Sequence, residues 1–173
     1  MKKIEKRFIK VYDKKTGILK EMGTVKLPAM KSIIGFLQGE WNLDKYTRCF
    51  EGSNRLGDID ASVEIAGHVL LIEFKADKHA INRGQIMKAI RTAKYCQTTT
   101  MFVFGETNYP KEMIQFTPEN PYGEEGYQET SVADLRRRLK QWHDESIIDT
   151  RVSDEDSQKE WDVTNALLKA VGK

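Results

Sequence analysis

Two cysteines, Cys49 and Cys96, are all this chain of 173 residues contains, and they lie far apart with no C-x-x-C spacing. A disulfide framework and a structural zinc site are therefore not expected. Charge of one sign is also lacking: Lys and Arg number 28 against 26 Asp and Glu, a net +2. Such a balance gives no global electrostatic case for nucleic acid, so any case must rest on local placement. The longest apolar runs, such as "HVLLI", are far too short to cross a bilayer. "MKKIEKRFIK" is basic but has no apolar run behind it, so a secretion signal is not expected and a cytoplasmic location is the default. Neither repeats nor low-complexity tracts occur. What is there, 39% hydrophobic and 31% charged residues, suits one globular domain over 1–173 with a real core.

Periodicity and turn residues order the elements. "KRFIKVYDKKTGILKEMGTVKL" reads as a hairpin turning at Asp13–Gly17, within an N-terminal segment 1–27. "PAMKSIIGFLQGEW" reads as a helix, with Pro28 in its first turn, an apolar stripe of Met30, Ile33, Ile34 and Leu37, and Gly39 as its stop. "KYTRCFEG" reads as a short strand, and "DIDASVEI" and "HVLLIEFK" as a hairpin turning at Ala66-Gly67. Ile81 to about Gln97 is expected to be a helix burying Ile86, Ala89, Ile90, Ala93 and Cys96, and "TTTMFVFG" a fully buried strand. Beyond it lie an edge strand around Met113–Phe116, a Pro/Gly-rich loop, a helix opened by Ser131 and Asp134, and a last helix from about Ser153. The order predicts an α/β domain around a mixed sheet.

"HVLLIEFK" carries Glu73 and Lys75 on a face that should be buried, where charges persist only when paired. If Ala66-Gly67 is a two-residue turn, Ile65 pairs with His68, Asp60 opposes Glu73, and Asp58 opposes Lys75. Opposed residues have Cβ atoms about 4.5–5.5 Å apart. Two carboxylates at that separation repel unless they share a cation. Hard oxygen donors without clustered Cys or His favour Mg²⁺ or Mn²⁺. A cation there can acidify water and neutralise charge on a phosphate, and Lys75 can orient the water or stabilise the transition state. A plain cross-strand Asp58–Lys75 ion pair on a solvated hairpin is the competing account. It leaves Asp60 facing Glu73 unexplained.

Asp60, thirteen residues, then Glu73-Phe74-Lys75 resembles the D…(D/E)-x-K signature of the PD-(D/E)XK nuclease superfamily. "GDIDASVEIAGHVLLIEFK" is most similar to hairpins of Holliday-junction resolvases and nuclease-related domains. The resemblance covers roughly 28–105 and implies a restriction-endonuclease-like αβββαβ core, with 106–173 adding a loop and C-terminal helices. It implies a Mg²⁺- or Mn²⁺-dependent nuclease hydrolysing DNA phosphodiesters, with Asp60 and Glu73 as metal ligands and Lys75 as the catalytic lysine. By the same resemblance Glu40, with Glu51 in reserve, is a further ligand, and Gln85 is the polar residue looking back from the following helix. No proline precedes either aspartate, so Asp58 and Asp60 both stand as ligands. Arg55, Arg83, Lys88 and Arg91 are candidates for gripping phosphates; a solvated helix face accounts equally well for the last three. Charge balancing is the favoured account of Arg136, Arg137, Arg138 and Lys140, with a nucleic-acid footprint as the alternative. Trp41, Trp142 and Trp161 read as packing anchors. Related enzymes often dimerise, so a homodimer is compatible with the resemblance. A catalytically inactive DNA-binding or assembly module that keeps the fold is the alternative function.

Overall fold

The computed structural model describes residues 4–28, 44–47, 49–50 and 56–172. The chain forms two compact units, Met1–Gly57 and Asp58–Lys173.

In the first unit, β1 (Ile4–Tyr12) and β2 (Leu19–Pro28) pair antiparallel with a register shift at Val11/Tyr12. The expected turn forms. Asp13 accepts backbone N–H bonds from Lys15 and Thr16, and its other oxygen lies 2.7 Å from the Lys20 ammonium. The strand expected over "KYTRCFEG" is not present in the described part, because Asp44–Thr47 is a single helical turn. The Cys49 and Phe50 N–H groups bond back to the Tyr46 and Thr47 carbonyls, which is turn geometry and not a strand ladder. The helix expected over 28–41, together with Trp41, lies outside the described residues.

The second unit is built on a five-stranded mixed sheet in the order β3-β4-β5-β6-β7. Its strands are β3 (Ala61–Ile65), β4 (His68–Lys75), β5 (Thr98–Glu106), β6 (Tyr109–Phe116) and β7 (Gln128–Glu129). Ala66 and Gly67 both have positive φ, 50° and 86°, the geometry of a type I′ turn. That turn sets Ile65 opposite His68. β4 and β5 run parallel and are joined through helix α1 (Arg83–Cys96), the only other pairings being antiparallel. Helices α2 (Val132–Ile148) and α3 (Asp154–Ala170) follow. None of the helices among the described residues is long and apolar enough to cross a membrane.

Alternation along the strands divides the core into two layers. On one face Phe102, Phe104, Ile114 and Phe116 pack with Ala89 and Ala93 of α1. On the other, Leu70, Ile72, Met101, Val103 and Met113 pack with Leu135, Leu139 and Trp142 of α2. Truncating any of the fully buried Phe102, Phe104 or Leu70 to alanine removes ~2–5 kcal/mol, by transfer and cavity terms together.

Several expectations about packing need correction. Cys96, expected in the core, is exposed; it is the last residue of α1, and Gln97 then turns left-handed with φ 53°. Trp161, expected as an anchor, is 65% exposed, because no residue of α3 is buried. β6 is longer than the edge strand expected at Met113–Phe116, and β7 takes the edge position beside Glu112 and Met113.

Gly105 sits at a bulge in the β5–β6 hairpin with φ +146°, where an added Cβ would overlap the Tyr109 carbonyl oxygen. Gly105→Ala should therefore cost ~1–3 kcal/mol in urea unfolding. In the other unit, the Lys20 ammonium and then the Thr16 and Lys15 N–H groups lower the Asp13 pKa from 3.8 to about 2. A lowered carboxyl contributes stability above its unfolded pKa and loses it as pH falls through the folded one. Amide exchange at Thr16 should stay slow at neutral pH and accelerate as pH, corrected for intrinsic exchange, falls from 3.8 towards about 2.

Candidate functional site

The site grows from the end of β4. Glu73 and Lys75 alternate onto the α1 face of the sheet, beside Phe102 and Phe104 of the parallel neighbour. Being two residues apart on one strand, their side chains stand next to each other. The Lys75 ammonium donates to Glu73 Oε2 at 2.8 Å. Their side chains are only 20% and 13% exposed, so the pair is largely removed from solvent.

Asp60 joins them from the other strand. The β3–β4 ladder ends at Ala61↔Ile72, and Asp60 lies at a bend just beyond it, at the register position facing Glu73. One carboxylate oxygen accepts the Phe74 backbone N–H at 2.7 Å, replacing the ladder bond that the bend removes. The same oxygen, Oδ2, is 3.9 Å from the Lys75 ammonium. A single ammonium thus lies against both carboxylates. The expected Asp58–Lys75 opposition is not formed: Asp58 is exposed, precedes the ladder, and makes no ion pair with Lys75.

Gln85 completes the group from α1. It is the third residue of the helix and forms a capping box with Asn82. Its Oε1 accepts the Asn82 N–H at 3.2 Å, while its own N–H donates to Asn82 Oδ1 at 3.0 Å. With the oxygen end committed to the cap, the amide nitrogen is turned to Glu73 Oε2, 3.5 Å away. The orienting partner, Asn82, was not singled out from the sequence, although Asn82-x-x-Gln85 is a legible capping-box pattern.

The remaining candidates fall apart spatially. Arg83, Lys88 and Arg91 are exposed on α1. Lys94 on the same helix is committed, bonding the Tyr122 hydroxyl at 3.0 Å. In the basic run of α2, Arg137 pairs with Asp134, Arg138 with the Gln128 amide oxygen, and Lys140 with Asp144. Charge balancing therefore describes much of that run. Glu40, Glu51 and Arg55 lie outside the described residues.

Chemically, the cluster offers two carboxylates, an ammonium and an amide. No group of three His, Cys, Asp or Glu side chains with metal-binding spacing occurs among the described residues. Two carboxylates do fit Mg²⁺, which commonly takes one or two from protein and completes its shell with water and substrate phosphate. They fit zinc poorly, for want of nitrogen or sulfur donors.

No family model matches this chain, and neither a curated protein nor a solved structure matches it.

A double-mutant cycle tests the pairing. Lys75→Met should destabilise by ~2 kcal/mol, because Glu73 loses its counter-charge while largely buried. Adding Glu73→Gln should recover most of that loss, a coupling of ~0.5–3 kcal/mol in urea unfolding. Strictly additive effects would show that the two side chains do not interact.

Proposed function

We propose that this protein is a metal-dependent nuclease that hydrolyses DNA phosphodiester bonds, with a restriction-endonuclease-like core of the PD-(D/E)XK type. The observation that carries the reading is the convergence of Asp60, Glu73 and Lys75 at the open end of β4, with Gln85 turned towards them. That arrangement, on a ββαβ succession, is what the D…E-x-K resemblance leads one to expect. Under this reading Asp60 and Glu73 hold Mg²⁺ or Mn²⁺, and Asp58 is a further donor.

The bound ion would polarise a phosphate oxygen and acidify a water. Lys75 gives up its contact with the carboxylates and turns its ammonium to the attacking water and the scissile phosphate. There it stabilises the charge that accumulates as the bond to the leaving oxygen breaks. Gln85 holds Glu73 in place, so one carboxylate keeps its position while Lys75 moves. Arg83, Lys88 and Arg91 supply contacts to flanking phosphates that position the strand without reading its sequence.

One feature favours a second reading, a DNA-binding or assembly module without turnover. Lys75 already contacts both acids, so half of their combined charge is balanced without any metal ion.

Purified protein incubated with plasmid, single-stranded and branched DNA separates the two readings. The nuclease reading expects cleavage with Mg²⁺ or Mn²⁺, none with chelator, and a loss of at least ~10²-fold in Glu73→Ala and Lys75→Ala. DNA binding that is indifferent to metal, with no cleavage of any substrate, would establish the module instead.

A further inference from the structure

On the opposite face of β4 from Glu73 and Lys75 lies a groove of about 960 Å³. It occupies the place where β4, β5 and the β5–β6 turn overrun the first turns of α2. Its floor is Val103, Leu135 and Leu139, and its walls include Phe74 and Tyr109. Both aromatic rings are open to solvent, Phe74 at 50% and Tyr109 at 69%. A volume of this order is that of a small-molecule site, ~300–1,000 Å³.

Charge at the groove is cationic. Arg136 lines it and, unlike Arg137 and Arg138, has no side-chain partner among the described residues. Lys75 borders it only at its strand position, its ammonium being bonded to Glu73 on the other face. The one carboxylate on the rim, Glu106, is paired with Lys111 at 3.2 Å. An apolar, aromatic cavity beside an uncommitted guanidinium suits a flat ring carried on an anionic backbone.

Strand alternation connects this groove to the site. Glu73 and Lys75 point to one face, Phe74 between them to the other, and all three extend past the last β3 pair at Ala61↔Ile72. A nucleotide at this free end can place its phosphate by Lys75 and its base across the strand by Phe74. We propose that the groove binds an unpaired nucleobase of the DNA strand, stacked against Phe74 and Tyr109, with Arg136 on an adjoining phosphate. This rests on the nuclease reading and narrows its substrate to DNA with unpaired residues. A base in an intact duplex reaches the groove only by leaving its stack and its partner base.

Binding of the full chain, measured without turnover, tests the proposal. Fluorescein-labelled oligothymidylate and a blunt duplex of equal length are titrated by anisotropy, in chelator and in Ca²⁺. A single strand containing 2-aminopurine reports stacking through quenching of its fluorescence. Tighter binding of the single strand, with quenching, is expected. Phe74→Ala should weaken it by roughly 10-fold and abolish the quenching, leaving duplex affinity unchanged. Arg136→Gln, at an exposed helix position that cannot upset the core, should weaken single-strand binding several-fold. Equal affinity for paired and unpaired DNA, or variants that bind and quench like the wild type, would overturn the proposal and give the groove to another occupant, such as a peptide. Binding and quenching without Mg²⁺-dependent cleavage would remove the hydrolytic reading while upholding the base site. Cleavage unaffected by both substitutions, with no quenching, would remove the base site alone.

Discussion

A carboxylate on the helix-covered face of a sheet must be compensated, and in this protein the second unit's polar end is organised around that need. Glu73 sits beside Phe102 on the layer that α1 covers, yet its side chain is charged. Lys75 and Gln85 supply the compensation from within the same layer. Removing either would leave polar atoms in a region that offers few alternative partners, and such groups cost far more than an exposed ion pair contributes. The apolar pattern of β4 is thereby interrupted at its end without disturbing the core behind it, where Leu70 and Ile72 remain buried.

That compensation also explains why the elements meet as they do. The type I′ turn at Ala66-Gly67 fixes the β3–β4 register, and through it the bend at Asp60. Asp60 then serves two functions with one oxygen, closing the backbone at Phe74 and approaching Lys75. From the other side, the capping box ties α1's first turn to Gln85's orientation, so a device that stabilises a helix end also aims an amide. Turn, bend and cap are each local, yet together they bring two acids, an ammonium and an amide to one corner of the sheet. Such a corner, charged on one face and aromatic on the other, is well suited to a ligand that is itself anionic at one end and flat at the other.

Much of this was legible in the residues. Ile65↔His68 follows from a two-residue turn, and with it the approach of Asp60 to Glu73. The apolar spacing of Ile86, Ala89, Ile90 and Ala93 marked the face of α1, and Ser131 with Asp134 marked the start of α2. Gln85, which the resemblance implied would look back from the following helix, has its amide nitrogen 3.5 Å from Glu73. Less legible were features without a periodic signature. "KYTRCFEG" has strand-like composition, but backbone bonds from Cys49 to Tyr46 and from Phe50 to Thr47 close turns there. Cys96 follows the helical spacing of the core and escapes it only because the helix ends under it. Trp161 lies on an amphipathic pattern, yet no residue of that helix is buried.

The sequence by itself determined the alternation of β4, the hairpin register and the helix caps, because each depends on residues within a few positions of one another. It thereby determined that Asp60, Glu73 and Lys75 would approach. Only the tertiary structure decided which of the two aspartates reaches the lysine, since that depends on where the β3 ladder ends rather than on spacing. It alone separated Arg136 from its paired neighbours and brought it with Phe74 to one groove, because that groove is lined by residues some sixty positions apart in the chain. Short-range geometry is written in adjacent residues; the joining of distant surfaces is written only in how the whole sheet packs.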